Sequence, residues 1–145
     1  MEILQRDQIK TFLPHREPML LVDDVTMEGD TAIAHYHVRG DEYFLQGHFP
    51  GNPIVPGVIL CEIMAQSCSI IVKDEIPGNM TLYAGLDKVR FKNSVKPGDV
   101  CEVTAKLNDR RGTGATTMFF CSAKLEVDGK LCCKGELTFV LKPQP

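Results

Sequence analysis

Two side chains suited to proton transfer, His48 and Glu62, lie 14 positions apart in the segment GHFPGNPIVPGVILCEIMAQ, residues 47–66. His48 lies in a loop made almost wholly of glycine and proline, and the prolines restrict the motion of that loop. Histidine is the residue type best suited to taking a proton near neutral pH. The sequence therefore indicates a candidate base, although a solvated loop histidine fits the same pattern equally well.

Glu62 interrupts an apolar run that predicts a helix from Gly57 to about Val72. Apolar residues occur on every side of this helix, so we expect it to be buried all round. Glu62, Gln66 and Ser69 are spaced i, i+4, i+7 and fall on one line along it. Burial disfavours a charged carboxylate, which predicts a raised pKa for Glu62 and an acid ready to donate a proton. A structural carboxyl that is satisfied by Gln66 is an equal alternative.

Pro56 and Gly57 stand where the predicted helix begins. The first helical N–H groups have no intrahelical partner and carry positive partial charge. Because Gly57 has no side chain, a ligand carbonyl could approach these groups closely. A base, an acid and an oxyanion donor are the parts needed to remove a proton beside a carbonyl and expel a neighbouring hydroxyl.

The remaining pattern predicts an α+β fold in one domain, residues 1–145, with an antiparallel sheet curled around the long helix. A Gly-rich bend is expected at 110–114, a two-residue hairpin turn at Asp128-Gly129, and a frayed tail at 142–145. We predict a short helix over 5–12 and strands over 19–25, 31–38, 81–91, 101–108, 115–127 and 130–141.

Composition excludes several classes of protein. Of the 145 residues, 43% are hydrophobic and 24% charged, as in an ordinary globular domain. The net charge of −3 argues against a general nucleic-acid binder. No apolar stretch approaches the roughly 18 residues of a membrane helix. The polar start, MEILQRDQIK, is unlike a signal peptide, and six cysteines without a CxxC pair indicate reduced thiols in a cytoplasmic protein.

Three segments together resemble the β-hydroxyacyl-acyl carrier protein dehydratases of the FabZ type. They are PHREPMLLVDDV (14–25), the segment 47–66 quoted above, and YAGLDKVRFKNSVKPGD (83–99). The resemblance covers nearly the whole chain in the right order. It implies the hot-dog fold, in which an antiparallel sheet wraps a long central helix. It also implies dehydration of (3R)-hydroxyacyl thioesters to trans-2-enoyl thioesters in type II fatty acid synthesis, without metal or cofactor.

The same resemblance assigns roles to particular residues. His48 would be the catalytic base, Glu62 the catalytic acid, and Gly57 the N–H donor that polarises the thioester carbonyl. Gln66 would orient Glu62 or the departing water. The resemblance further implies homodimers whose site combines His48 of one subunit with Glu62 of the other, with a trimer of dimers as the larger assembly. Tyr83 either lines the acyl tunnel or packs in the core.

A basic stripe of Lys88, Arg90 and Lys92 alternates along one predicted strand with Val89 and Phe91. A solvent-facing strand surface explains it, and docking of an acidic acyl carrier protein is the functional alternative. Further basic residues that could extend such a surface are Lys96, Arg110 and Arg111.

Other readings of the sequence stay open. His35 and His37 point to the same face of a strand and could begin a cupin-like metal site, but no further ligands are placed beside them. A hot-dog thioesterase would need a carboxylate that attacks or activates water, without a required loop histidine. A non-catalytic acyl-binding subunit is the remaining alternative. Ile63, where the resembled family frequently has alanine, could alter acyl-chain preference.

Overall fold

The computed structural model describes residues 1–113 and 115–145. Its elements are β1 (Glu2–Gln5), α1 (Arg6–Ile9), β2 (Asp24–Glu28), β3 (Thr31–His37), α2 (Gly57–Ile70), β4 (Asn79–Phe91), β5 (Val100–Thr113), β6 (Thr116–Val127) and β7 (Lys130–Pro143). The strands form one sheet in the order β1-β2-β3-β5-β6-β7-β4, and neighbouring strands are antiparallel. Strands β1 and β4 are therefore its edges.

Helix α2 packs against the inner face of the sheet, where it contacts β3, β5, β6 and β7. On β5, the inward residues Cys101, Val103 and Ala105 are fully buried and alternate with outward polar residues. Ile63 and Met64 of α2 are buried against this face, and burying such a side chain stabilises the fold by about 1.5–3 kcal/mol. The predicted hot-dog arrangement, a sheet wrapped around one long helix, is confirmed.

The prediction that α2 is buried on all sides is wrong at its first turn. The side chain of Val58 is 76% exposed, whereas the next two residues, Ile59 and Leu60, are buried. The predicted hairpin at Asp128-Gly129 is confirmed. Both residues have positive φ, 51° and 77°, which is the backbone of a type I′ turn.

The strand predicted over 19–25 is wrong for its first five residues. Leu20, Leu21 and Val22 are fully buried, but they lie in an irregular segment before β2. Side chains satisfy their backbone in place of a neighbouring strand: Arg6 donates to the carbonyls of Leu20 and Val22, and Gln66 Oε1 accepts from the Leu21 N–H.

Two predicted irregular segments are also wrong. Residues 110–113 of the predicted bend belong to β5, where Arg111 pairs with Met118, while residue 114 lies outside the described residues. The tail does not fray at 142–143, because these residues extend β7 opposite β4, and the Gln144 N–H donates to the Gly78 carbonyl at 3.1 Å. Strand β1 has no counterpart in the sequence prediction. No helix within residues 1–113 and 115–145 is long and apolar enough to cross a membrane.

Candidate active site

Glu62 faces a cavity between α2 and the edge of the sheet. The predicted line of Glu62, Gln66 and Ser69 is confirmed, because all three side chains line this cavity. Ile63 points the other way and is fully buried in the core, so it does not line the cavity. The other lining residues are His15, Ala65, Thr81, Tyr83, Leu137 and Phe139. The Glu62 carboxyl therefore faces a cavity that is lined by both apolar and polar side chains.

The Glu62 carboxylate receives polar contacts at one oxygen. Gln66 Nε2 donates to Oε2 at 2.8 Å, and His15 Nε2 lies 3.5 Å from the same atom. Burial alone would raise the pKa of Glu62, but the contacts from His15, Gln66 and Tyr83 outweigh it and lower that pKa. The predicted direction was therefore wrong, because the sequence pattern revealed the burial of Glu62 but not these three neighbours.

Gln66 is held between α2 and the segment before β2. Its Nε2 also donates to the Met19 carbonyl at 2.7 Å, and its Oε1 accepts from the Leu21 N–H at 2.9 Å. The Gln66 side chain is almost fully buried. The amide beside Glu62 therefore has a fixed orientation.

Tyr83 on β4 lines the same cavity, and its predicted place in an acyl tunnel stays a prediction. Its hydroxyl donates to the Cys61 carbonyl at 3.1 Å. Burial of the phenol and the neighbouring Glu62 charge raise the pKa of Tyr83. Tyr83 is accordingly a neutral phenol beside the carboxylate, and its ring is half exposed rather than packed in the core.

His48 lies in a second cavity, at the start of α2. Its Nδ1 lies 2.9 Å from the Ile54 carbonyl oxygen, which can only accept, so Nδ1 carries the proton and Nε2 keeps a free lone pair. The loop is pinned by backbone hydrogen bonds from Ile54 to His48 and from Val55 to Val95, both 2.8 Å. This arrangement presents an imidazole that can take a proton at Nε2.

Gly57 lines the cavity of His48, together with Phe91 and Lys92. Gly57 is the first residue of α2, so its N–H has no hydrogen-bond acceptor within the helix. A Cβ at Gly57 would lie 2.8 Å from Cε1 of Phe91, so the close approach of this ring requires glycine. The N–H donor and the candidate base thus share one space.

Within one chain, the predicted site residues fall into two groups. His48 and Gly57 line one cavity, whereas Glu62, Gln66 and Tyr83 line the other. The sequence prediction missed His15 in the second group. Its Nδ1 is buried without a hydrogen-bond partner among the described residues. The available signal was its place in the PHREP motif, in a loop bracketed by two prolines as His48 is.

The structure divides the predicted basic stripe. A β-bulge interrupts β4 between Asp87 and Arg90, and Lys88 adopts a positive φ of 53°. Lys88 lies over the outer face of the sheet, in a cleft shared with Lys106, Lys124 and Lys134. Lys92 follows the end of β4 and lines the His48 cavity instead. Arg110 pairs with Glu75 and Arg111 with Asp109.

His35 lies between two carboxylates on the outer face of the sheet. Its Nδ1 is 2.7 Å from Asp24 Oδ1, and its Nε2 is 3.1 Å from Glu102 Oε2. His37 is exposed on the same face of β3. In the part of the chain that the structure describes, no group of three or more potential ligands is arranged to hold a metal ion.

Comparison with known proteins places this chain in a family. A family model described as a FabA-like domain matches residues 13–136. The 3-hydroxyacyl-(acyl carrier protein) dehydratase FabZ of Streptococcus sanguinis is 46% identical over 138 residues, 93% of this chain and 96% of the relative. FabZ of Streptococcus gordonii is 47% identical over 136 residues, 92% of this chain and 94% of the relative.

Solved structures support the fold. The dehydratase heterocomplex ApeI:P from Xenorhabdus doucetiae aligns with a TM-score of 0.74 at 20% identity, over 94% of this chain and 91% of that chain. A hypothetical thioesterase with coenzyme A from Streptococcus pneumoniae aligns with a TM-score of 0.56 at 14% identity, over 83% and 85% of the two chains. Dehydratases and thioesterases thus share this fold, and sequence identity separates them: the chain belongs to the FabZ-type 3-hydroxyacyl-(acyl carrier protein) dehydratases.

Proposed function

We propose that this protein is a hydro-lyase that dehydrates (3R)-hydroxyacyl-acyl carrier protein to trans-2-enoyl-acyl carrier protein in fatty acid biosynthesis. The observation that carries this proposal is the 46–47% identity to FabZ dehydratases over more than nine tenths of both chains. The geometry supports it, because a candidate base, an N–H donor and a carboxyl all lie at the surface of α2 or at its start.

In this reaction the Gly57 N–H donates to the thioester carbonyl, which makes the proton on C2 acidic. His48 takes that proton at Nε2, since Nδ1 is committed to Ile54. The electron pair of the C2–H bond becomes the C2–C3 double bond, and the C3–O bond breaks towards oxygen. Glu62, in the form that carries a proton, gives that proton to the leaving hydroxyl to make water, while Gln66 holds its carboxyl. Because its contacts lower the pKa of Glu62, this protonated form is the minor one near neutral pH.

Mass spectrometry after incubation with 3-hydroxybutyryl and longer acyl-carrier-protein thioesters tests the proposal. Loss of one water from the thioester is the expected result. Release of free acid would instead identify a thioesterase, and an unchanged substrate would identify an acyl-binding subunit. Glu62→Gln is expected to keep the fold, because the amide is isosteric, and to lose most turnover. The thioesterase is the second candidate only at the level of fold, where a thioesterase structure aligns.

The catalytic unit we propose is a homodimer in which His48 of one subunit works with Glu62 of the other. Within a single chain these residues line separate cavities. Strand β4 is an edge of the sheet and carries half-exposed apolar side chains, among them Leu82 and Leu86. Such an edge needs a covering partner, and a second copy of β4 would supply one. Trimers of dimers are compatible with this pairing.

Complementation tests the shared site. His48→Ala and Glu62→Gln are each expected to be nearly inactive, but a mixed dimer would contain one intact site and one doubly damaged site. Random pairing makes about half of the dimers mixed, each with one good site of two, so about a quarter of wild-type activity is expected after co-refolding. No recovery in dimers verified as mixed would exclude the shared site while leaving the dehydratase function standing.

We propose that the acidic carrier protein docks on Lys88, Arg90 and Lys92. Lys92 lies beside the His48 cavity, and Lys88 begins a basic cleft on the outer face, so together they could bind a carrier that spans the sheet edge. Alanine at all three positions is expected to weaken the carrier-protein substrate more than a small thioester mimic, most strongly at low salt. Equal losses on both substrates would contradict docking.

Two finer assignments complete the proposal. Tyr83 lines the acyl tunnel, because its half-exposed ring stands at the cavity of Glu62. The cytoplasm is the compartment, because the six cysteines are buried free thiols that suit a reducing environment. Fractionation of cells that express the protein tests this location.

A further inference from the structure

We propose that His15 is a positioning residue: together with Gln66 it anchors Oε2 of Glu62, which leaves Oε1 as the carboxyl atom that carries the proton to the leaving hydroxyl. The inference rests on the proposed dehydratase function and concerns the same site. It gives a role to the PHREP segment, which the mechanism above does not use.

The first support is the contact itself. Gln66 Nε2 and His15 Nε2 both approach Oε2, at 2.8 Å and 3.5 Å. Among the described residues (1–113 and 115–145), the hydrogen bond from Gln66 goes to Oε2 and none is made to Oε1. The Tyr83 hydroxyl donates to the Cys61 carbonyl and also lies close enough to the carboxyl to lower its pKa. The 3.5 Å contact is longer than an ordinary hydrogen bond, and contacts of this kind commonly tighten when substrate fills a site. The two carboxyl oxygens are therefore inequivalent before substrate arrives.

The second support is the way in which the loop holds His15. The Arg16 guanidinium donates to the carbonyls of Lys10, Leu13 and His15 at 2.7–3.0 Å. Gln66 ties the same segment to α2 through its contacts with the backbone further along. The side chain of His15 is 27% exposed and that of Glu62 19%, so both are largely screened from solvent. The backbone that carries His15 is thus held on both sides.

The third support is the state of the other ring nitrogen. Nδ1 of His15 is buried and has no hydrogen-bond partner among the described residues. An unpaired N–H in such a place costs more than an unpaired lone pair, since it leaves a buried donor unsatisfied. With a proton on Nε2 rather than Nδ1, the imidazole avoids that cost and has its N–H on the side of Oε2, 3.5 Å away. With one hydrogen bond from Gln66 and the His15 N–H facing it, Oε2 is a poor site for the carboxyl proton, which is then placed on Oε1.

The surroundings of Glu62 contain few other titratable groups. His15 comes from the loop and Tyr83 from β4, while β7 contributes only apolar side chains to this cavity. Behind Tyr83 lie the thiols of Cys61 and Cys68 on α2. Removing the donor at Oε2 destabilises the carboxylate, so loss of His15 raises the pKa of Glu62.

The test compares His15→Leu, which removes the donor, with His15→Gln, whose amide can still reach Oε2. The pKa of Glu62 is measured by carbon NMR of protein labelled at its glutamate carboxyls, with the resonance assigned by its loss in Glu62→Gln. We expect a higher pKa in His15→Leu and a value nearer to wild type in His15→Gln. Proton transfer by a positioned acid contributes about 10²–10⁴-fold. The raised pKa also puts more of Glu62 in its protonated form, so kcat is compared after division by the protonated fraction found by NMR. On that basis, loss of orientation should lower kcat about tenfold in His15→Leu, with KM little changed.

An unchanged Glu62 pKa in a folded His15→Leu protein would overturn the proposal, as would a His15→Gln protein no better than His15→Leu in kcat. If His15→Leu does not fold, His15→Asn replaces it, because the shorter amide cannot reach Oε2. His37→Gln is the matched control and should leave pKa and kcat unchanged, since His37 is exposed on the outer face of β3. A wild-type protein without dehydratase activity would refute the proposed function, while the NMR titration would still decide the anchoring.

Discussion

Replacing Gly57 by alanine tests the role of its N–H at the start of α2. The new Cβ would lie 2.8 Å from Cε1 of Phe91, 3.1 Å from Cζ and 3.3 Å from Cδ1. Carbon atoms in favourable contact are about 3.5–4.0 Å apart, so the ring must move by about 0.7 Å or more. The substitution therefore acts on two things at once, the approach to the Gly57 N–H and the position of Phe91.

The free energy of unfolding is expected to change little. Phe91 is 55% exposed, so its ring can swing towards solvent, and the cost should lie near the lower end of overpacking, about 1 kcal/mol. Alanine is favoured over glycine in a helix by up to about 1 kcal/mol. Because these effects oppose each other, Gly57→Ala should unfold in urea within about 1 kcal/mol of wild type.

Activity should respond very differently, because the methyl group enters the cavity that Gly57 shares with His48. Removing one oxyanion donor typically costs about 10²–10³-fold in kcat, and we expect a loss of about 100-fold on 3-hydroxybutyryl-carrier protein. Phe91→Leu alone is the control for ring displacement. Near-normal turnover of Gly57→Ala would refute the N–H role, and so would full recovery in the Gly57→Ala, Phe91→Leu double variant.

Three further predictions concern stability. Gly135→Ala would place a Cβ 2.9 Å from Val89 Cγ2, and the expected loss of about 1–3 kcal/mol in urea should be relieved by Val89→Ala; a neutral single variant would contradict this packing. Tyr36→Phe removes a 2.6 Å hydrogen bond to Glu42 and should cost about 1.5–3 kcal/mol, whereas an unchanged midpoint would show that the bond contributes nothing. Partial burial alone would lower the pKa of His35, but Asp24 and Glu102 raise it. The stability that this group contributes is therefore present below the unfolded pKa near 6.5 and is lost as pH rises through the folded pKa. Between pH 6 and 9, the melting temperature of wild type should fall more than that of His35→Gln.

The candidate site was predictable where local spacing determines it. The i, i+4, i+7 line on α2 placed Glu62, Gln66 and Ser69 on one face, and the structure confirms that they share a cavity. His15 lies 47 residues before Glu62 in the sequence, and no periodic pattern connects the two. Only the tertiary fold brings this histidine to the carboxyl, which is also why the direction of the pKa shift of Glu62 was predicted wrongly.

Most of the fold was predictable for a similar reason. Strand β3 has a clear period of 2, and helix α2 is a long apolar run that begins after Pro56; both were located within two residues of their observed ends. The apolar run 19–25 resembles a buried strand in composition, but its first part is irregular because Arg6 and Gln66 satisfy its backbone. Hydrogen bonds from distant side chains leave no trace in a local pattern.

Gln66 contributes both to the stability of the fold and to the position of the Glu62 carboxyl. Its amide holds Met19 and Leu21 of the segment before β2, and the same Nε2 donates to Glu62. Any substitution that removes the amide leaves the Leu21 N–H buried without its acceptor, at a cost of about 1–3 kcal/mol. Lost activity in a Gln66 variant would therefore not distinguish a misplaced acid from a displaced loop. His15 contacts Glu62 through its side chain, while its own backbone is held by Arg16, so substitutions at His15 alter the acid and leave the anchor of the loop in place.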